Sequence, residues 1–465
     1  MIRHITGEIK LKGETSMKNQ NGYHRPVTLG NILRFAVPTI SMTVFMSFYT
    51  MVDGLFVSNL IGTDALSAIN LTAPVIQFVT AISTMLATGG SAVIMKKMGE
   101  RQAQEAREDF TFLILVNVVV GAAMYLLGSL SVGPLFAGVN LSAAIKGYCV
   151  EYLNRYLLFI VPILLMNQFT LYMIASEKAT LSLVCSVTGG VLNMVLDYLF
   201  LAVFEMGIGG AAIATGLGYS VTAVVGLFVF AQKKSLLHFQ KPVFRWRGLA
   251  GAASNGCSEM ATALVTGIVT LMFNWTMLNY VGEDGVAAVT IIMYVLMFAS
   301  SLYTGYSYGV APLISFYYGE KNDEKLKKLL RISFEVIAVI SAVTVVSSLA
   351  LTKPLVSVFA RPDNPVYDLA VTGNRLCTLA LFFIGFNIFA SGAFTALSNG
   401  VVSAVLAFSR SFVFMLIAML LLPVVFGVTG IWLATPVAEL MAFILSAFMF
   451  FRYKNRYLEP APEAA

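Results

Sequence analysis

The sequence predicts an all-α membrane protein with twelve transmembrane helices in two pseudo-symmetric six-helix lobes. Three observations carry that reading: an apolar composition, loops whose charge alternates along the chain, and an internal repeat. Of 465 residues, 58% are hydrophobic and 12% charged, whereas a soluble domain carries roughly 25% charged residues. A chain this apolar cannot cover its own surface, so most of it faces lipid. At roughly 20 residues per span plus short loops, the length fits about a dozen helices. Transmembrane strands alternate apolar and polar residues, but here the apolar runs are continuous.

Apolar stretches and their Gly, Pro and charged boundaries place six spans in the first half, near 31–56, 69–95, 110–131, 150–174, 180–204 and 209–231. Six more follow near 251–280, 286–316, 332–352, 373–396, 400–424 and 427–451. The expected organisation is a polar N-terminal tail over 1–29, an N-lobe over 30–240, a C-lobe over 241–452 and a tail over 453–465. The first 29 residues lack the apolar core of a secretory signal, so the first span is expected to be retained; Met17 is an alternative start.

Loop charge sets the orientation. One side collects the N-terminus, the 96–107 loop, Lys178, the 232–247 and 320–331 loops and the C-terminus, and with them 24 of the 30 Lys and Arg residues. The other side holds Lys146, Arg155, Lys353, Arg361 and Arg375. The positive-inside rule puts both termini in the cytoplasm of a cell with this protein in its inner membrane. The net charge of +6 is thereby explained without nucleic acid as a partner.

Other function classes fall away. No loop is long enough for a folded soluble domain, and no G-x-x-x-x-G-K-[ST] motif marks an ATP-driven motor. Gly207-Ile-Gly209-Gly210-Ala211-Ala212 matches a dinucleotide-binding pattern, but it follows a membrane helix rather than a strand. Cys149, Cys185, Cys257 and Cys377 lack metal-ligand or disulfide spacing, and His4, His24 and His238 fall in polar segments. Neither an enzyme nor a bound cofactor is expected.

The halves repeat. Shifted by 220 residues, Gly62 falls on Gly282, Asp64 on Asp284, Gly89 on Gly309 and Gly99-Glu100 on Gly319-Glu320. Between 62 and 100 there are ten identities in 39 positions without a gap. Six spans per half is an even number, so the repeat is parallel, as suits a transporter whose lobes rock about a shared cavity.

An ionisable side chain at mid-membrane costs roughly 2.5 kcal/mol or more. Asp53, Asp197, Glu259, Glu439 and Arg410 all lie within spans. Asn193 and Asp197 are four apart, hence on one helix face, and Thr215 in the next span can add an oxygen. With Asp53, such oxygens can hold a sodium ion or share a proton; a hydrogen-bonded knot that ties helices is the other reading. The 220 shift sets Asp53 on Phe273, Asn193 on Val413 and Asp197 on Ile417, so this cluster belongs to the first half alone and favours function. Glu259, whose counterpart is Thr39, either faces the cavity and attracts a cationic substrate or reaches water at its helix end. Arg410 and Glu439 read as a structural pair or as partners of loop groups. Prolines 38, 162, 312 and 436 sit within spans, and Pro38, upstream of Asp53, is a hinge position or a static kink.

These residues resemble a family. Phe35-Ala-Val-Pro38, Met51-Val-Asp53-Gly, Leu60-Ile-Gly62-Thr-Asp-Ala and Gly190-Val-Leu-Asn193-Met-Val-Leu-Asp197 followed by Gly207 to Thr215 are similar to multidrug and toxic compound extrusion (MATE) transporters. The likeness covers roughly 30–452 and points to the bacterial branch with DinF-like and MepA-like exporters. It implies exchange of H+ or Na+ for organic cations or amphipathic compounds, with membrane lipid and a small-molecule substrate as partners and no obligate protein partner. It implies a coupling site of Asp53, Asn193, Asp197, Thr215 and, in the fourth span, Asn167, with Glu259 as the seventh-span acid. The tenth span, Leu381 to Ala390, lacks the acid that some relatives carry, so coupling is expected through the N-lobe. The alternatives are a lipid-linked precursor flippase of the wider superfamily, which would have a cationic cavity, and a channel or structural protein.

Overall fold

A computed structural model describes residues 22–60, 63–137 and 142–458, with side chains at all of these except 53–60, 63, 64, 66, 137, 454–456 and 458. Span 1 is Leu29–Leu60, span 2 Thr63–Gly99, span 3 Ala103–Ala137 and span 6 Gly207–Ala231. Spans 7 to 10 are Trp246–Tyr280, Glu283–Gly319, Asp323–Ala350 and Pro365–Ala396, and span 12 is Val428–Leu458. Spans 4, 5 and 11 are interrupted. Among the described residues, eleven helices are each long and apolar enough to cross a membrane. A bent pair, Ala143–Leu157 and Ile160–Ala175, supplies a twelfth span, here span 4.

The expected single helix over 150–174 is therefore two helices that meet at 58°. Pro162 accounts for the break: it has no N–H to donate to the Leu158 carbonyl, and in a continuous helix its ring would clash with that carbonyl. Phe159 leaves the helical region at φ −103°, ψ 10°, and its ring packs where a Cβ on Gly216 of span 6 would stand. Spans 5 and 11 each contain a π-helical stretch. Span 5 runs Ala179–Asp197 and continues as Tyr198–Val203; span 11 runs Gly400–Phe408, Ser409–Val413 and Phe414–Phe426. The other helices outrun their apolar cores by up to several residues, because hydropathy marks the lipid-facing part only. Asn322 and Asn399, for example, cap spans 9 and 11 from outside those cores by accepting from Lys325 N–H at 3.1 Å and Val402 N–H at 3.4 Å.

The repeat reappears as geometry. Gly207 and Gly427, 220 apart, open the last span of each half at φ +60° and +57°, a left-handed conformation that glycine adopts without strain. The lobes meet in a matching pattern: span 1 lies along span 8, its repeat-mate span 7 lies along span 2, and spans 2 and 8 cross. Small residues permit the approach. A methyl on Gly309 would stand 2.8 Å from the Cα of Ala36. At the equivalent place, one on Gly89 would overlap the carbonyl oxygen of Ala252. Span 1 runs unbroken through Pro38, where Thr43 donates to the Ser301 carbonyl of span 8 at 2.7 Å.

The lobes are closed toward the basic loops. Gly22–His24 forms a short turn there, and the buried Tyr23 donates to the Ala175 carbonyl of span 4 at 2.7 Å while its ring lies 4.8 Å from that of Phe316 on span 8. Asp109 of span 3, 2% exposed, joins Lys97 of span 2 at 2.6 Å and Arg245, just before span 7, at 3.1 Å.

Candidate functional site

Two glycines bring spans 5 and 6 to backbone contact. A Cβ on Gly189 would lie 2.6 Å from the Gly218 carbonyl oxygen, and one on Gly218 would lie 2.7 Å from that of Gly189 and 2.9 Å from Asn193 Cβ. That approach places Asn193, 1% exposed, against Thr215, 7% exposed. Asn193 Nδ2 donates to Thr215 Oγ1 at 3.3 Å, and Thr215 donates to the Ala211 carbonyl at 3.0 Å. Asn193 Oδ1 is buried and takes no hydrogen bond from any described residue. One turn on, Asp197 is fully buried and ends the α-helical part of span 5 where the π-helical stretch begins. Such stretches are frequent at functional sites, because they re-aim side chains and loosen the backbone ladder.

Span 1 reaches this region through Tyr49, 2% exposed, whose ring lies 3.5 Å from the Cβ position of Gly190. Asp53 is one turn beyond Tyr49 in the same helix; its side chain lies outside the described residues. Asn167 is half-buried in the second helix of span 4 and makes no hydrogen bond to Asn193 or Thr215. Of the five residues expected at one site, Asn193 and Thr215 are joined directly and Asp197 continues their face.

Glu259 occupies a different place. It lines a cavity of about 40 Å³ that takes Thr88 and Ser91 from span 2, Leu171 from span 4, and Tyr308 and Pro312 from span 8. Both lobes thus contribute walls, and the carboxylate faces their junction rather than its helix end. About 40 Å³ is room for a few waters. A larger cavity of about 440 Å³ opens beside span 1, with Phe48, Met51, Tyr294, Met297 and Phe298 among its lining residues.

The second lobe holds a polar network that sequence reasoning missed in part. Arg410 and Glu439 do pair: Arg410 Nε donates to Glu439 Oε1 at 2.8 Å and to Oε2 at 3.0 Å. Asn387 Nδ2 adds a bond to Oε2 at 2.7 Å and one to the Glu439 carbonyl at 2.9 Å. Ser446 Oγ donates to Asn387 Oδ1 at 3.2 Å. The first-half cluster is therefore matched by another, differently placed cluster, which weakens the argument from its confinement to one half. The signal was available: the 220 shift sets Asn387 on Asn167.

A twelve-span helical protein with buried acids in both lobes and a carboxylate at their junction has the build of a membrane transporter. The MatE family model matches residues 38–199 and 260–420, one segment per half, and the chain belongs to the MatE family. A Staphylococcus haemolyticus protein named Multidrug export protein MepA is 21% identical over 432 residues, covering 91% of this chain and 94% of its own. A crystal structure of MATE in complex with MaL6 superposes with a TM-score of 0.87 at 22% identity, over 92% of this chain and 96% of that one. An outward-facing multidrug resistance MATE family transporter of the MOP superfamily reaches 0.86 at 22% identity with the same coverage. These likenesses establish the two-lobe fold.

Proposed function

We propose that this chain is a secondary active multidrug exporter of a bacterial inner membrane, with both termini cytoplasmic, exchanging H+ or Na+ for organic cations or amphipathic compounds. Its lobes are assigned to 30–240 and 241–452. The observation that carries the reading is Asp197, a fully buried carboxylate at a π-helical transition beside the Asn193–Thr215 pair. A buried carboxylate is costly in lipid unless a cation or a proton neutralises it. The relatives named multidrug export protein MepA support the export direction and a varied small-molecule cargo.

Substrate binds when the lobes part at the basic end, with Glu259 at the junction drawing a cationic group and apolar residues accommodating the rest. The lobes then rock to the state described above, closed toward the basic loops. A cation enters the Asp53, Asn167, Asn193, Asp197 and Thr215 cluster and favours release. Position 53 belongs to the helix that lies along span 8, so span 1 links the cation site to the second lobe, with Pro38 as the place where it bends. Substrate and cation must favour different states for coupling to arise. A membrane potential adds about 2.3 kcal/mol per charge per 100 mV.

The test is efflux of a cationic dye from proteoliposomes under separately imposed sodium and pH gradients. The proposal expects one gradient to drive concentrative efflux. Dye movement that ignores both gradients and merely dissipates its own would point to a channel.

A further inference from the structure

The linker ahead of span 7 lies across the basic-loop end of span 3. The Phe239 ring is 5.7 Å from that of Phe110, and the Gln240 N–H donates to Thr111 Oγ1 at 3.0 Å. The rings of Phe244 and Trp246 meet Phe112 edge-on at 5.4 and 5.9 Å. Phe112 starts a stripe that continues through Leu115, Val119, Leu126 and Leu130, and these four are exposed. Such spacing keeps to one helix face, and in a helix that crosses a bilayer that face meets lipid. Phe112 itself is buried, whereas Phe244 is 62% exposed and Trp246 69% exposed. Two aromatic rings thus stand on the lipid face of span 3, where its apolar run begins after the polar stretch from Gln104 to Asp109. That is the depth of the headgroup region, in which aromatic rings settle.

The charge around these rings is of one sign. Residues 232–247 hold five Lys and Arg, and no Asp or Glu occurs between Glu205 and Glu259. Arg245 is turned inward, to Glu108 at 2.7 Å and Asp109 at 3.1 Å. Lys97 holds Glu105 and Asp109 in addition, so the acids of the adjoining end of span 3 are already paired. Lys233, Lys234, Lys241 and Arg247 are exposed and form no ion pair among the described residues. We propose that Phe244 and Trp246, with Lys241 and Arg247 flanking them and Lys233 and Lys234 in the same linker, form a docking surface for anionic phospholipid in the leaflet on the side of the basic loops. A solvated basic loop would carry the same cations, but it would not set two exposed rings on a lipid-facing stripe, where water pays for their apolar area. A zwitterionic headgroup would suit the rings alone; uncompensated Lys and Arg beside them favour a headgroup with net negative charge. The inference uses the fold and the side on which the basic loops lie, and does not draw on ion coupling.

The test reads the site through Trp246. Trp275→Phe/Trp432→Phe leaves it as the single tryptophan of the chain. This protein is placed in phosphatidylcholine vesicles that contain a small, equal fraction of either dibrominated phosphatidylglycerol or dibrominated phosphatidylcholine, and quenching of its fluorescence is compared. Quenching should favour the anionic lipid by about fivefold, the preference that one Lys or Arg near a membrane surface supplies, and should weaken in high salt. The added substitutions Lys233→Gln, Lys234→Gln, Lys241→Gln and Arg247→Gln should bring the ratio to one while leaving Trp246 quenched by both lipids. Equal quenching before the charges are removed, an undiminished preference after, or no quenching by either lipid overturns the proposal. Where the single-tryptophan background fails to fold, the chain with all three tryptophans is purified with and without the four Gln substitutions, and co-purifying phospholipid is measured by mass spectrometry. The substituted protein should retain less phosphatidylglycerol relative to zwitterionic lipid; an unchanged ratio contradicts the assignment.

Discussion

Gly99 and Gly319 pack reciprocally where spans 2 and 8 cross: a methyl on Gly99 would overlap the Phe316 carbonyl oxygen, and one on Gly319 would overlap that of Lys96. The pairs are themselves related by the 220 shift, which sets Gly99 on Gly319 and Lys96 on Phe316. This contact closes the lobes at the basic end. Gly319→Val should wedge the spans apart and favour the state open toward the basic loops. In a background without the four native cysteines, labelling of Lys96→Cys by an impermeant maleimide should rise with Gly319→Val. Unchanged labelling would separate this crossing from the gate.

The Asn193–Thr215 bond makes a separable prediction. Thr215→Val keeps the shape but strands a buried amide donor, which costs about 1–3 kcal/mol. Thermal unfolding in detergent should show that loss, and Thr215→Ser should restore most of it. Equal melting of all three proteins would mean that the pair contributes nothing to the fold.

At the basic end Tyr23 ties the segment before span 1 to both lobes. Burial, then the neighbouring Glu177 and Tyr317, pushes its phenol well above the usual tyrosine range. A group whose folded pKa is raised contributes fully below its unfolded value, and the contribution is lost as pH climbs past that value, here about 10. Tyr23→Phe removes the bond to Ala175 and should cost about 1 kcal/mol. The cost should be constant across neutral pH; a cost that varies between pH 6 and 8 would implicate another group.

Much of this was legible in the sequence, for identifiable reasons. Continuous apolar runs gave the spans, and repeated Gly and Asp positions gave the two lobes, because loop glycines and close helix crossings tolerate few substitutes. Arg410 with Glu439 was one of the pairings the sequence allowed, since a lone charge in a span needs an opposite one. The bend of span 4 at Phe159 and the π-helical stretches at Tyr198 and Ser409 were not legible. Apolar periodicity does not register one extra residue in a turn, and Pro162 alone does not say whether a helix kinks or breaks. Asn387 was not legible as a partner of Glu439, because an amide in a span carries no charge that demands an opposite one.

Glu259 stands at the junction of the lobes. Replacement by Gln removes the charge and keeps the size. Cationic dyes should bind about tenfold more weakly, about 1.4 kcal/mol, while an uncharged amphipathic substrate should be little affected. Equal weakening for both would mark Glu259 as structural.

The central claim is that the first-lobe acids bind the coupling cation. Gradient-driven dye efflux by Asp197→Asn in proteoliposomes, beside wild type at matched incorporation, tests it most directly. The account predicts a folded protein whose efflux no longer responds to an imposed sodium or proton gradient. Efflux equal to wild type under the same gradient would contradict it.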